Sequence, residues 1–228
     1  MCNYAEIYRL QSKWEEGVTE RIVIIGAGGH AKVVAATALD LGIIIDGIYD
    51  DDPEKWGTSI LGMPVLGPPS DIKKRGSLKA VLAIGDNATR KRFTDSFNGC
   101  EWVTLIHPDA FVHPSVAVGK GTVIFAHAVI QPDAILGDHC IINTGATVDH
   151  DCTIGDFCHI APGVNLAGDV RIGEGVFLGI GSSVIVGKNI GEWTTVGAGG
   201  VVTTDIHAHS LAVGMPARTL KRREEEEL

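Results

Sequence analysis

No apolar run in the 228-residue chain approaches the ~18–20 residues that a membrane span requires. Basic residues are too few for a phosphate-neutralising surface: 19 Lys+Arg stand against 28 Asp+Glu, net −9, so a nucleic-acid partner is not expected. The N-terminal stretch MCNYAEIYRLQSKWEEG is mixed and acidic, with no signal-peptide core. The five cysteines are odd in number and lack metal-ligand spacing, so neither a disulfide framework nor a bound metal is expected, and a reducing cytoplasm is. Aromatics make up only 6%, while glycine is abundant at 29 residues. Many glycines beside many Ile and Val point to tightly turned β structure rather than a helix bundle.

One period dominates the second half. From Ile106, steps of six reach Val112, Val118, Ile124, Ile130, Leu136, Ile142, Val148, Ile154, Ile160, Leu166, Ile172, Leu178, Val184, Ile190, Val196 and Val202 without a slip. Two residues before many of them stands a small residue, such as Ala128, Cys140, Ala146, Cys152 or Cys158, and a glycine often follows. A six-residue period with an aliphatic, a turn-forming glycine and a small residue describes one side of a parallel β-helix, three hexads making an 18-residue coil. The alternative, an ordinary sandwich, does not hold register this long.

The first half alternates strand and helix, as a parallel α/β sheet does. The pattern predicts strands at Arg21–Ile25, Ile43–Tyr49, Leu78–Ile84 and Trp102–Ile106, a helix from about Ala31 to Leu41, and a basic helix start at Arg90-Lys91-Arg92. Glycines after a strand and before a helix let backbone N–H groups approach an anion. Gly26, Gly28 and Ala31 fit the loose dinucleotide fingerprint, with acidic residues roughly 20 positions on. About 85 residues hold only one mononucleotide half, so the expectation is a nucleotide diphosphate, with Asp50 and Asp51 on ribose or base. A glycine-rich turn with no ligand is the bland alternative. The expected organisation is an extension over 1–19, a Rossmann-like α/β half domain over 20–105, an all-β parallel helix over 106–205 and a loop and tail over 206–228.

Of nine histidines, His107 and His113 precede prolines and read as structural, and His139 reads as a solvated turn residue. His207 and His209 fall after the last coil and His30 lies in the glycine-rich loop of the first half, which leaves His127, His150 and His159. His150 is bracketed by Asp149 and Asp151, and a carboxylate on one ring nitrogen fixes the tautomer and raises basicity, as a general base needs. Eighteen residues on stands Gly168, leaving room beside the imidazole. Asp133, Asp151 and Asp169 also fall 18 apart, a possible acidic column that favours an imidazolium. His159, nine residues from His150, belongs on another side of the prism, so the two meet only across a subunit boundary, as in a threefold assembly. Cys152 invites a nucleophile reading but occupies the small inward position of a buried filler.

Taken together, Ile-Gly-Ala-Gly-Gly-His (25–30), Ala-Ile-Gly-Asp-Asn (83–87), the stretch 142–152, His-Ile-Ala-Pro-Gly (159–163), Leu-Ala-Gly (166–168) and Val-Gly-Met-Pro-Ala-Arg (213–218) resemble the bacterial nucleotide-sugar acetyltransferases. These join a short Rossmann-like domain to a hexapeptide-repeat left-handed β-helix. The family includes sialic acid O-acetyltransferases and N-acetyltransferases of UDP- or GDP-linked 4-amino sugars. The resemblance implies acetyl-CoA as cosubstrate, a homotrimer, and a place in surface-polysaccharide synthesis. It implies His150 as general base assisted by Asp151, where some relatives carry Glu. It implies Gly28, Gly29, His30, Asp50, Asp51 and Gly85 as nucleotide-sugar contacts, and Asn143, His159, Gly168, Ile180 and Ala198 along the acetyl-CoA groove. Transfer to a sugar hydroxyl, a noncatalytic nucleotide-binding scaffold and a nicotinamide-dependent oxidoreductase are the rival readings.

Overall fold

The computed structural model describes residues 20–75, 78–97 and 100–222; the expected extension over 1–19 and the acidic end of the tail lie outside them. The first part is an α/β sheet in the order β3-β4-β2-β1-β5-β6, parallel except for the β3–β4 hairpin. Its strands are β1 (Arg21–Ile25), β2 (Ile44–Tyr49), β3 (Ser59–Ile60), β4 (Met63–Gly67), β5 (Leu78–Leu82) and β6 (Cys100–Trp102). Ile22 to Ile25 of β1 are buried on both faces, as a central parallel strand requires.

Helix α1 (Gly29–Asp40) starts two residues before the expected position and ends at Gly42, which takes φ +68 to reverse the chain. Its buried stripe, Ala31, Val34, Ala35 and Ala38, packs on β1. Helix α2 (Asn87–Ser96) opens earlier than its basic residues suggest, because Asp86 caps it by accepting from the Thr89 N–H at 2.8 Å.

From Leu105 every hexad contributes one two-residue strand, and the strands stack in three parallel sheets. Each pairs with the strand 18 residues on: Ile141 with His159, Thr147 with Asn165, Thr153 with Arg171. The result is a left-handed parallel β-helix. Ile142, Val148, Ile154, Ile160 and Leu178 point inward and are at most 1% exposed. Each buried side chain of this size contributes about 1.5–3 kcal/mol. Cys140, Cys152 and Cys158 fill the small inward positions, and their thiols donate to the carbonyls of Gly155, Ala167 and Gly173 in the next coil. With its thiol buried there, Cys152 is filler and not a nucleophile.

The coil outruns its expected end at 205. Ser210–Val213 adds a further parallel strand to the first sheet, and Arg218–Arg222 folds back antiparallel on it. Leu105 also belongs to the coil, pairing with Val123, whereas Trp102 belongs to the α/β sheet.

The outward row of the first sheet reads Leu105, Val123, Ile141, His159, Phe177 and Thr195. The α/β part covers its beginning. Leu105, Val123 and Ile141 are buried in one cluster with Phe125, Ala31 and Val103. Coverage ends at His159, so a cleft opens over Phe177 and Thr195. Among the described residues no helix is long and apolar enough to cross a membrane.

Candidate active site

The ends of β1, β2 and β5 converge on this cleft. Gly26 takes φ +105, and a Cβ there would lie 2.8 Å from the Ala83 carbonyl oxygen, so only glycine fits. Gly28 caps α1 and Gly29 begins it, and nothing lies within 4 Å of a Cβ on either. The helix N-terminus is therefore open to an anionic group.

Asp50 does other work than expected. One oxygen accepts from the Ala27 N–H at 2.6 Å, the other from the Asp52 N–H at 2.9 Å, and Lys55 Nζ reaches both at 3.1 Å. Burial alone would raise its pKa. The N–H groups of Asp52 and Ala27, with Lys55, outweigh that and hold it below the usual value. The carboxylate braces the glycine loop, and Asp51 is the exposed acid beside it.

His30 turns inward from α1. Its ring meets Phe125 edge-on at 5.4 Å and lies 6.2 Å from His159, and Nε2 has no hydrogen-bond partner among the described residues. Burial, then the charge of Arg90, pushes its pKa down to about 4. His159 faces Gly85 through Nδ1 at 3.3 Å and Asn143 through Nε2 at 3.1 Å. It too is pushed to about 4 by burial, then by Arg90 and His30. The cleft beyond, about 290 Å³, is lined by Gly85, Asp86, Asn87, Phe177, Trp193 and Thr195.

His150 sits elsewhere, at the corner after Thr147–Val148 in the second sheet, whereas His159 lies on the first. Asp149 accepts from the His150 backbone N–H at 2.7 Å, and Asp151 holds Nδ1 at 2.7 Å. That pair raises the imidazole pKa above 6.5, with further support from Asp149 and Asp169. The ring is more than half exposed, and Nε2 is the nitrogen left to take a proton. The space above Gly168 is occupied by the imidazole itself: a Cβ there would meet Cε1 at 2.6 Å. Ile180 and Ala198 stack at the corner between first and second sheets, above the corner that Asn143 opens. His127, exposed, lies in that same column of corners.

One chain thus brings together Gly28, Gly29, His30, Gly85, Asn143 and His159, and sets His150, Asp151 and Gly168 on the next edge. His139, expected in solvent, is 3% exposed. It stacks on Phe157 at 5.3 Å and meets Trp102 edge-on at 5.1 Å, and burial pushes its pKa to about 4. The positions 18 apart from it are aromatic or glycine, which is the signal of a stacked column. Sequence reading also missed Asn87 and Trp193 at the cleft. Asn87 anchors α2 to the coil by donating to the Gly175 and Val176 carbonyls. Among the described residues no three His, Cys, Asp or Glu side chains gather to hold a metal.

Residues 21–97 match the PglD N-terminal domain family. The chain is 42% identical to PerB from Caulobacter crescentus, solved in complex with CoA and GDP-perosamine, covering 90% of this chain and 99% of that one with a TM-score of 0.84. It is 38% identical to the acetyltransferase domain of PglB from Neisseria gonorrhoeae, covering 89% and 100%, with a TM-score of 0.81. Over 120 residues it is 37% identical to the UDP-N-acetylbacillosamine N-acetyltransferase of Bacillus subtilis, a stretch that spans 47% of this chain and about half, 52%, of that protein.

Proposed function

The chain belongs to the nucleotide-sugar N-acetyltransferases that join a PglD-type N-terminal domain to a left-handed β-helix, and from that footing we propose that it moves an acetyl group from acetyl-CoA to the amine of a nucleotide-linked 4-amino-4,6-dideoxy sugar. PerB binds CoA and GDP-perosamine, and the Bacillus relative acts on a UDP-linked sugar, so UDP and GDP are both candidate nucleotides. The carrying observation is His150: an exposed imidazole clamped through Nδ1 by Asp151, on a coil edge with a glycine beneath it.

In this reading the diphosphate lies over Gly28 and Gly29 at the N-terminus of α1 and the sugar reaches toward the cleft beside Gly85. The coenzyme runs along the edge marked by Asn143, Ile180 and Ala198. Nε2 of His150 removes a proton as the amine nitrogen attacks the thioester carbonyl. The backbone N–H of Gly168 holds the oxyanion, since those of Ala167 and Asp169 donate to the Val184 and His150 carbonyls. The tetrahedral intermediate then expels CoA thiolate, which regains the proton from the imidazolium. Two bound, aligned substrates supply much of the rate.

In this reading the working site joins the nucleotide half of one protomer to the His150 edge of a neighbour, which suits a chain whose His150 and His159 lie on different sheets of one prism. A closed threefold ring satisfies that geometry. The proposal includes a cytoplasmic reaction on soluble activated substrates that feeds assembly of a surface polysaccharide. The test is CoA release with UDP- and GDP-linked 4-amino sugars and with a free sialic acid, alongside sedimentation of the purified protein. Turnover of a nucleotide-linked amine by a trimer supports the reading. Exclusive turnover of the sialic acid hydroxyl, or a monomer at full activity, overturns it.

A further inference from the structure

Arg90 is the largest fully buried side chain of the described residues, 2% exposed. None of its hydrogen bonds among those residues goes to a carboxylate. Nε donates to the His139 carbonyl at 2.8 Å, and one terminal nitrogen donates to Ile84 and Gly85 carbonyls at 3.0 and 3.3 Å. The other donates to Asn87 Oδ1 at 3.0 Å and to the Phe157 and Cys158 carbonyls at 2.8 and 3.3 Å. One planar fork therefore ties the loop after β5 to two successive coils. A lysine ammonium cannot reproduce that fan of donors. Burying this cation is costly: its hydrogen bonds go to carbonyl and amide oxygens, and the Asp86 carboxylate that caps α2 acts on it only as a charge.

The Gly85 carbonyl that Arg90 touches is also the acceptor for His159. Asn143 Oδ1 accepts from the Thr144 N–H at 2.9 Å, which turns its amide N–H toward His159 Nε2. Nε2 must then accept and Nδ1 must donate to Gly85, so the chain Thr144–Asn143–His159–Gly85 holds together with only one tautomer. We propose that Arg90 is a positioning residue of the acetyl-transfer reaction: by fixing Gly85 against the coil it sets the His159 ring, and with it the nucleotide-sugar half of the site, while Asn143 is held by the coil itself.

The inference rests on the acetyl-transfer reading but predicts its own signature. Groups facing His159 are His30 from α1, Arg90 from α2, Asn143 on the preceding coil and Phe177 on the following one, 5.1 Å away edge-on. After burial, Arg90 is the main charge keeping that ring neutral. The coenzyme edge is braced by coil stacking, so loosening Arg90 frees the Gly85 side and leaves Ile180 and Ala198 in place.

The test combines steady-state CoA release with nitrogen-15 spectra of histidine-labelled protein, for wild type, Arg90→Lys and Arg90→Gln, with His159→Asn for assignment. The expected result is a KM for the nucleotide sugar raised about tenfold or more, with the KM for acetyl-CoA within about twofold of wild type. His159 shows the Nδ1–H form in wild type and titrates at higher pH in Arg90→Gln. Unchanged KM together with unchanged His159 signals in both variants overturns the proposal. If neither variant folds, the wild-type spectrum decides: the Nδ1–H tautomer upholds it, and a proton on Nε2 or titration near 6.5 overturns it. A wild-type protein that acetylates no nucleotide sugar removes the reaction reading, while the spectra still report on the Arg90 chain.

Discussion

The His150 imidazole lies across the backbone of Gly168, one coil further on, so closely that a methyl group there would sit 2.6 Å from Cε1 and 2.7 Å from Nε2. The glycine is the seat on which the proposed base rests, and its missing side chain lets the ring lie flat along the coil edge.

Gly168→Ala therefore tilts the ring without touching the core. A displacement of about 1 Å at a reacting group costs on the order of 100-fold in rate. We expect kcat to fall by about that factor with thermal stability little changed, read by CoA release beside a melting curve. An alanine variant with wild-type kcat removes the seat from the mechanism.

Removing the base itself goes further. His150→Ala should lower kcat by about 10²–10⁴-fold, the range for loss of a general base, with KM for both substrates nearly unchanged. Near-normal turnover would strip His150 of that role.

Asp151 tunes when the base is free. Its bond to Nδ1 stabilises the imidazolium and raises the pKa above 6.5, so activity should climb with pH along an acid limb centred above that value. Asp151→Asn loses the charge, lowers the imidazole pKa and moves the limb to lower pH, with a smaller plateau. A pH profile of kcat/KM checks the sign; a limb that stays put contradicts the assignment.

His30, His139 and His159 are all held neutral, each pushed to about 4. The unfolded chain binds protons at these residues from about 6.5 downward while the folded one does not, so stability is full above 6.5 and is lost as pH falls from there toward 4. Each contributes a slope of about 1.4 kcal/mol per pH unit. The lowered pKa values of Asp50 and Asp86 act only below their ordinary 3.8, outside this window. Urea unfolding at pH 7, 6 and 5 should show a steadily falling midpoint, and a flat one would contradict the buried neutral rings.

Asp50→Ala frees the Ala27 N–H and Lys55 and slackens the glycine loop. KM for the nucleotide sugar should rise about tenfold while KM for acetyl-CoA holds. A rise in both would mean the loss is global.

Much of the coil was legible because a β-helix repeats one local decision. Each hexad must place an aliphatic inward, a small residue behind it and a tight corner between, and stacking at 18 residues leaves no freedom of register. That arithmetic put Gly168 against His150 and separated His150 from His159 before any coordinates. It failed for His139, since a corner residue looks solvated until Phe157 in its column and Trp102 from the α/β sheet are seen to cover it. It did not show that the Asp50 carboxylate also closes on its own loop, a contact between residues with no fixed spacing.

The amino-acid order alone thus determined the coil, its register, the glycine loop opening α1 and the carboxylate-bracketed His150, because each depends on residues a fixed step apart. Only the tertiary structure decided how the α/β part sits on the coil, where its coverage stops at His159, and that one of three adjacent basic residues, Arg90, goes inside. Those choices depend on two surfaces meeting far apart in sequence, and no local period encodes such a meeting.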